Sequence, residues 1–291
     1  MNGIINFLKP PGMTSSNVVT DIRRLLQVKR VGHTGTLDPG AAGVLPICVG
    51  KATRLFDYLA TKDKRYIAEI AFGVKTDTQD AYGTVLQQQG CKVTIEEVSV
   101  VMEGMLGERQ QVPSLYSAIK VDGKKAYQLA RAGQAVDLSG RARSISINHL
   151  ELIEQTAQDR FLISINCSKG TYVRQFAEEL GQKLGCLAYV AFLLRTDCGC
   201  FTLDKAYTLA EIEAMWNRED VRFLQPTDSA LLGLDAVNLD AISLKKLLNG
   251  CPVPGKGEGL VRLYSGNEFI AVGQFVGGML SIKTLFYDRQ T

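Results

Sequence analysis

Histidine is scarce in this chain: His33 and His149 are the only two in 291 residues. With no CxxC motif either, a Cys/His zinc site has almost no ligands to draw on; a carboxylate-bound magnesium ion stays open on composition alone. Seven cysteines, an odd number without regular spacing, predict buried thiols in a reducing compartment. No long apolar run exists. The longest uncharged stretch, residues 41–50, contains Pro46 and is far too short to cross a bilayer. The opening MNGIINFLKPPG has no basic segment ahead of an apolar one, so no secretory signal is expected and the predicted setting is cytoplasmic. Nucleotide motifs are missing too. Gly50-Lys51 is followed by Ala52, which fails a P-loop, and Gly255, Gly257 and Gly259 open no helix. No serine stands in a G-x-S-x-G elbow.

What is present is an ordinary globular composition, 46% hydrophobic and 22% charged, with room for two domains. The net charge is only +3, but it is unevenly spread. Residues 1–80 carry a net +4 and residues 109–146 a net +5. Brought to one face, these stretches would attract a polyanion. Apolar spacing predicts helices over residues 16–26, 51–59, 94–102, 171–184, 208–216 and 243–248. Strands are predicted over 66–72, over 144–154 paired with 160–167, and over 187–194. Three short runs near the C-terminus (260–264, 268–276 and 279–286) are separated by tight-turn residues and read as a β-meander. The pattern changes around residues 225–234, so the expected division is a first domain over 1–230 and a small one over 235–291.

One segment stands apart. GHTGTLDPGAAGVLP (32–46) is too rich in glycine for a regular element and reads as a structured loop around Asp38. Its glycines let the backbone approach a ligand closely, and Pro39 restrains Asp38. A carboxylate so held is a candidate nucleophile or acid/base. On spacing alone, an Asp-Pro turn explains it better.

That segment resembles the catalytic motif of the TruB family of tRNA pseudouridine synthases, and the resemblance extends along the chain. KPPGMTS (9–15), GKATR (50–54), KRYIAEI (64–70), VPSLYSAIKVDGKKAYQLAR (112–131) and SKGTYVR (168–174) resemble the family's other motifs in the same order. The C-terminal part resembles, more weakly, a PUA-type RNA-binding domain. The resemblance implies an α+β catalytic domain on a mixed, largely antiparallel sheet, an RNA-gripping insertion near residues 109–146, and a small β-rich PUA-like domain. It implies that uridine 55 in the T-loop of tRNA is flipped out and isomerised to pseudouridine. No cofactor or metal, no membrane and no obligate protein partner are implied.

By the same resemblance Asp38 is the nucleophile, attacking base or ribose. Tyr66 stacks on the extruded base, Arg174 pairs with Asp38, Leu193 lines the uracil pocket, and His33 contacts RNA. Lys9 belongs to the first motif and is placed with the RNA-contacting residues. The insertion offers Tyr116, Lys120, Lys124, Lys125, Arg131, Arg141 and Arg143 for phosphate contacts and stacking. Departures from the family pattern are Leu194 where an arginine is frequent, Tyr189 for a histidine and Cys198 for a serine. A tRNA-folding chaperone role would use the same basic and aromatic residues, with or without chemistry. A glycosidase acting on a small nucleoside would need a second carboxylate near Asp38.

Overall fold

Side-chain alternation along the first strand already sorts the two faces of the main sheet. In the computed structural model, which describes residues 1–117, 119–121, 123–134 and 136–287, β1 (Gly3–Lys9) turns Ile5 and Phe7 to one face and Ile4 to the other. Thr14 caps α1 (Ser15–Leu26) in a reciprocal capping box with Asn17. β2 (Val31–His33) and β3 (Ala42–Val49) follow, then a 3-10 turn (Gly50–Leu55), α2 (Phe56–Ala60) and β4 (Lys64–Phe72). β5 (Val74–Thr76) and β6 (Val85–Gln88) form a hairpin ahead of α3 (Ile95–Glu103) and β7 (Gly107–Gln111).

The basic segment contributes a two-strand hairpin, β8 (Lys120–Val121) and β9 (Lys124–Lys125), and α4 (Ala126–Arg131). The side chain of Arg131 lies outside the described residues, as do residues 288–291 of the expected C-terminal domain. β10 (Arg143–Ala157), β11 (Arg160–Cys167), α5 (Val173–Lys183), β12 (Ala188–Cys198), β13 (Phe201–Thr202), α6 (Leu209–Trp216) and β14 (Leu224–Gln225) complete the larger unit.

The main sheet runs β14-β1-β3-β12-β4-β11-β10-β7, with β2 added to β3 and β13 to β12. Its pairs are antiparallel except β3–β12, where Ala42 faces Leu194 and Gly43 faces Arg195. The expected α+β class with a mixed, largely antiparallel sheet is therefore the observed one. The expectation of an irregular loop over 32–46 needs correction: only residues 34–41 lie between strands. Gly43 is what permits this. At φ 117° it lies against the backbone of β12, where a Cβ would stand 2.2 Å from the Arg195 carbonyl oxygen.

Helices α1, α3 and α5 cover one face, where Val18, Ile22, Val98, Met102, Phe176 and Leu180 share one core with Phe7, Leu45 and Ile47. The opposite face carries Ile4, Val44, Cys48, Leu55 and Leu59. With both faces covered, every residue of β3 is buried.

The C-terminal β-rich domain contains β15 (Asp235–Asn238), α7 (Ala241–Leu248), β16 (Val253–Pro254), β17 (Gly259–Ser265), β18 (Glu268–Val276) and β19 (Met279–Leu285). Its sheet order is β15-β17-β18-β19-β16. It is larger than the expected meander because β15 joins β17 in parallel. Val272 and Phe286 reach across and pack with Ile4 and Leu55.

The cysteine expectation also needs correction. Cys91 and Cys186 form a disulfide with Cα atoms 6.0 Å apart, and Cys200 and Cys251 are exposed; Cys48, Cys167 and Cys198 are buried thiols. The segment after β6 runs over the α5–β12 turn, where Gln89 donates to the Gly185 carbonyl at 3.1 Å, and this brings the two cysteines together. Among the described residues no helix is long and apolar enough to cross a membrane.

Candidate active site

The N-terminal KPPGMTS segment grips the Asp38 loop by its backbone. The Ser15 hydroxyl accepts from the Leu37 N–H at 2.9 Å and donates to the Leu37 carbonyl at 3.1 Å. The Pro39 carbonyl accepts from the Gly12 N–H at 2.9 Å and from Lys9 Nζ at 3.3 Å. Lys9 is fully buried, and burial brings its ammonium down to about 8 despite the favourable charge of Asp38. From the other side, Arg195 on β12 donates to the carbonyls of Val44 at 2.7 Å and Gly35 at 2.9 Å. Both ends of the loop are thus pinned, and Asp38 stands at its crest.

The Asp38 carboxylate meets Arg174 from the first turn of α5, with Oδ2 2.8 Å from Nε. The guanidinium is 5% exposed while the carboxylate keeps 37% of its surface. The other two guanidinium nitrogens are committed as well. One donates to the Thr78 carbonyl at 2.9 Å, the other to the Tyr116 carbonyl at 3.1 Å. One arginine therefore joins the Asp38 loop, the β5–β6 turn and the start of the basic insertion. Burial raises the Asp38 carboxyl above the ordinary range, Arg174 opposes that rise, and Asp80 adds to it.

Asp80 was not singled out by sequence reasoning. It sits in the β5–β6 turn, where its Oδ1 accepts from the Thr78 hydroxyl at 2.6 Å and the Tyr82 N–H at 3.0 Å. The available signal was the run DTQD (77–80), three polar or acidic residues and Gln79 between two short strands. Gln79 adopts φ 62° and holds the turn to its neighbours: its carbonyl accepts from the Val190 N–H at 3.0 Å, and its amide donates to Gln175 at 3.0 Å and to Glu178.

A cavity of about 20 Å³ lies beside Asp38, walled by Gly40, Asp80–Tyr82, Arg174 and residues 190–193 of β12. Leu193 is on that wall. Tyr66 is not: it is buried on β4 opposite Arg195, whose guanidinium donates to its phenol, and burial pushes that phenol up to about 12. His33 on β2 is also off the wall. Burial, then the charge of Arg195, lowers its imidazole, and its Nδ1 has no partner among the described residues.

Tyr116 adjoins the site through its carbonyl and donates its phenol to Asp77 at 3.1 Å. Lys120, Lys124 and Lys125 are exposed on the β8–β9 hairpin, with the Lys125 ammonium 5.7 Å from the Tyr127 ring centre. Arg141 and Arg143 are exposed at the start of β10. Among the described residues no cluster of three or more His, Cys, Asp or Glu side chains is arranged to hold a metal.

The fold has close counterparts among solved structures. A chain of the Cbf5-Nop10-Gar1 complex superposes with a TM-score of 0.77, at 25% identity, covering 99% of this chain and 85% of that one. A chain of an H/ACA RNP bound to a substrate RNA containing 2′-deoxyuridine has the same fold, with a TM-score of 0.76 at 24% identity, over 99% of this chain and 86% of that one. The architecture is that of a pseudouridine synthase. Residues 23–173 match the model of the TruB family pseudouridylate synthase N-terminal domain, and residues 174–232 match the tRNA pseudouridylate synthase B C-terminal domain. The tRNA pseudouridine synthase B of Caldanaerobacter subterraneus subsp. tengcongensis is 41% identical over 98% of this chain and 99% of its own length. That of Alkaliphilus oremlandii is 44% identical over 86% of this chain and 82% of its own length. The chain belongs to the TruB family of pseudouridylate synthases.

Proposed function

We propose that this protein isomerises uridine 55 in the T-loop of tRNA to pseudouridine, with Asp38 as the nucleophile. The observation that carries the reading is the contact of Asp38 with Arg174 at the crest of a loop pinned from both ends. The N1–C1′ bond of the uridine breaks, the uracil turns, and C5 bonds to C1′. The proton on C5 leaves and N1 gains one, so atoms balance without a cofactor. Extruding the base from a folded loop costs a few kcal/mol, which contacts to the rest of the T-arm must offset.

Arg174 aims the carboxylate and favours its charged form against burial. Leu193 supplies an apolar wall for the uracil, and Tyr66, in register beside Arg195 on the neighbouring strand, offers a ring to the base when the cavity widens. Lys9 holds the loop, and His33 contacts the RNA. Lys120, Lys124, Lys125, Arg131, Arg141 and Arg143 form the phosphate-binding surface together with Tyr116. The division into a catalytic domain over 1–230 and a PUA-like domain over 235–291 is part of the proposal, the latter raising affinity by tethering the tRNA. Exposed lysines on the insertion also suit a tRNA-folding role alongside the chemistry.

The test is pseudouridine mapping in an unmodified tRNA transcript. The wild-type protein should modify position 55, whereas Asp38→Asn should form no product while still retarding tRNA in a gel. Full turnover by Asp38→Asn would remove the carboxylate from the reaction.

A further inference from the structure

The cavity beside Asp38 has about the volume needed for one water and cannot admit a pyrimidine ring. Something in its wall must give way before a uridine enters. Arg174 is tied by all three of its nitrogens, and Asp80 by its bonds within the turn. Tyr82 is different. It is 67% exposed, its N–H is fixed to Asp80, and its phenol makes no hydrogen bond among the described residues. The backbone is anchored and the ring is free to turn.

The ring occupies a seat that only glycine can provide. A Cβ on Gly40 would stand 2.1 Å from Cε2 and 2.3 Å from Cδ2 of Tyr82. Gly40 has no left-handed φ to explain its identity. What it supplies is space, two residues from the carboxylate. Across the cavity stands Phe192, also substantially exposed. An unbonded aromatic ring at the mouth of a cleft that takes an RNA loop is a stacking surface for a base, since every base presents a π-face.

We propose that Tyr82 is a substrate-contact residue. Its ring leaves Gly40 to admit the target uridine and then stacks on a base adjacent to that uridine in the RNA. The idea rests on the reading that the uridine is extruded toward Asp38. Gly40 is the partner that sets the resting position of the ring.

The experiment uses the full-length protein and a tRNA transcript, with pseudouridine formation measured across substrate concentrations. A second transcript carries 2-aminopurine beside the target uridine. Tyr82→Ala should raise KM about tenfold, the scale of one lost base–aromatic stack, with a smaller effect on kcat, and should abolish most of the 2-aminopurine quench. Tyr82→Phe should keep the quench and the low KM. Gly40→Ala should change the rate of quenching in the wild-type background but not in the Tyr82→Ala background, because it acts through the ring. An unchanged KM and quench in Tyr82→Ala, or an equal effect of Gly40→Ala in both backgrounds, would overturn the inference. If the wild-type protein itself formed no pseudouridine, the failure would lie with the proposed function.

Discussion

Asp38 stands between opposing influences. Burial and Asp80 favour its neutral form, Arg174 its charged form, and burial prevails, leaving the carboxyl above its ordinary range. The sign of the pH dependence follows. If Asp38 attacks as the carboxylate, as proposed, a raised value means activity is lost earlier as pH falls. The acid limb of kcat/KM should lie above the range of an ordinary aspartate. Asp80→Asn keeps an acceptor oxygen for Thr78 and Tyr82 but removes a repelling charge, so it should move that limb to lower pH. A pH–rate profile of the two proteins checks this; a limb that stays put would mean that Asp80 acts only through the shape of its turn.

At the scale of elements, the Asp38 loop depends on α1 more than on its own glycines. Ser15 satisfies both the N–H and the carbonyl of Leu37, and all of these groups are buried. Ser15→Ala leaves two backbone groups without partners, at a cost of about 1–3 kcal/mol. Urea unfolding should show that loss, and kcat should fall more than KM rises, because the aim of the carboxylate is disturbed and the RNA-binding surface is not. The β8–β9 hairpin makes a different contribution. If its lysines meet phosphates as proposed, affinity should fall with salt at a slope of about −0.7 per single-strand phosphate neutralised. Lys124→Ala with Lys125→Ala should flatten that slope in a filter-binding titration, and an unaltered slope would place the phosphates elsewhere.

Much of this level was legible in the sequence. Apolar spacing announced the helices over 16–26 and 94–102, and alternation announced β4, β10 and β11, because helix stripes and strand faces are local properties. The parallel β3–β12 contact was not legible. It depends on Gly43 meeting a backbone more than 150 residues away, and no local pattern encodes that. Arg174 beside Asp38 came from resemblance, and the resemblance left out Asp80 and Tyr82, which reach the same cavity from a short turn whose own pattern is only that of a polar hairpin. The Cys91–Cys186 pair was invisible for the same reason: sequence spacing carries no information on which cysteines meet.

For the whole molecule, the two sheets are not independent bodies. Phe286 and Val272 belong to the C-terminal domain yet share a core with Ile4, Val44 and Leu55 of the larger one. Tyr58 and Thr284 add a hydrogen bond of 2.9 Å across the same junction, and Arg54 donates to the Leu285 carbonyl. Phe286→Ala removes a buried ring at a cost of about 3–5 kcal/mol. If the junction couples the halves, calorimetry should show one unfolding transition in the wild type, and the variant should lower it as a unit. Two separate transitions in the wild type, with only one shifted by the variant, would show the halves melting alone.

The three-way tie made by Arg174 has a consequence for the proposed reaction. A guanidinium that is buried, with each nitrogen bonded to the protein, is poorly placed to clasp a phosphate as well. It acts as a tally of three loops, one carrying the carboxylate, one the acidic turn and one the root of the insertion. If the insertion grips RNA as proposed, an RNA that seats badly there would pull on residue 116, which is bonded to the same cation that meets Asp38. On that reading poor grip and poor aim would be a single event, and a mismatched substrate would be turned away by slack in the loops without a separate inspection step.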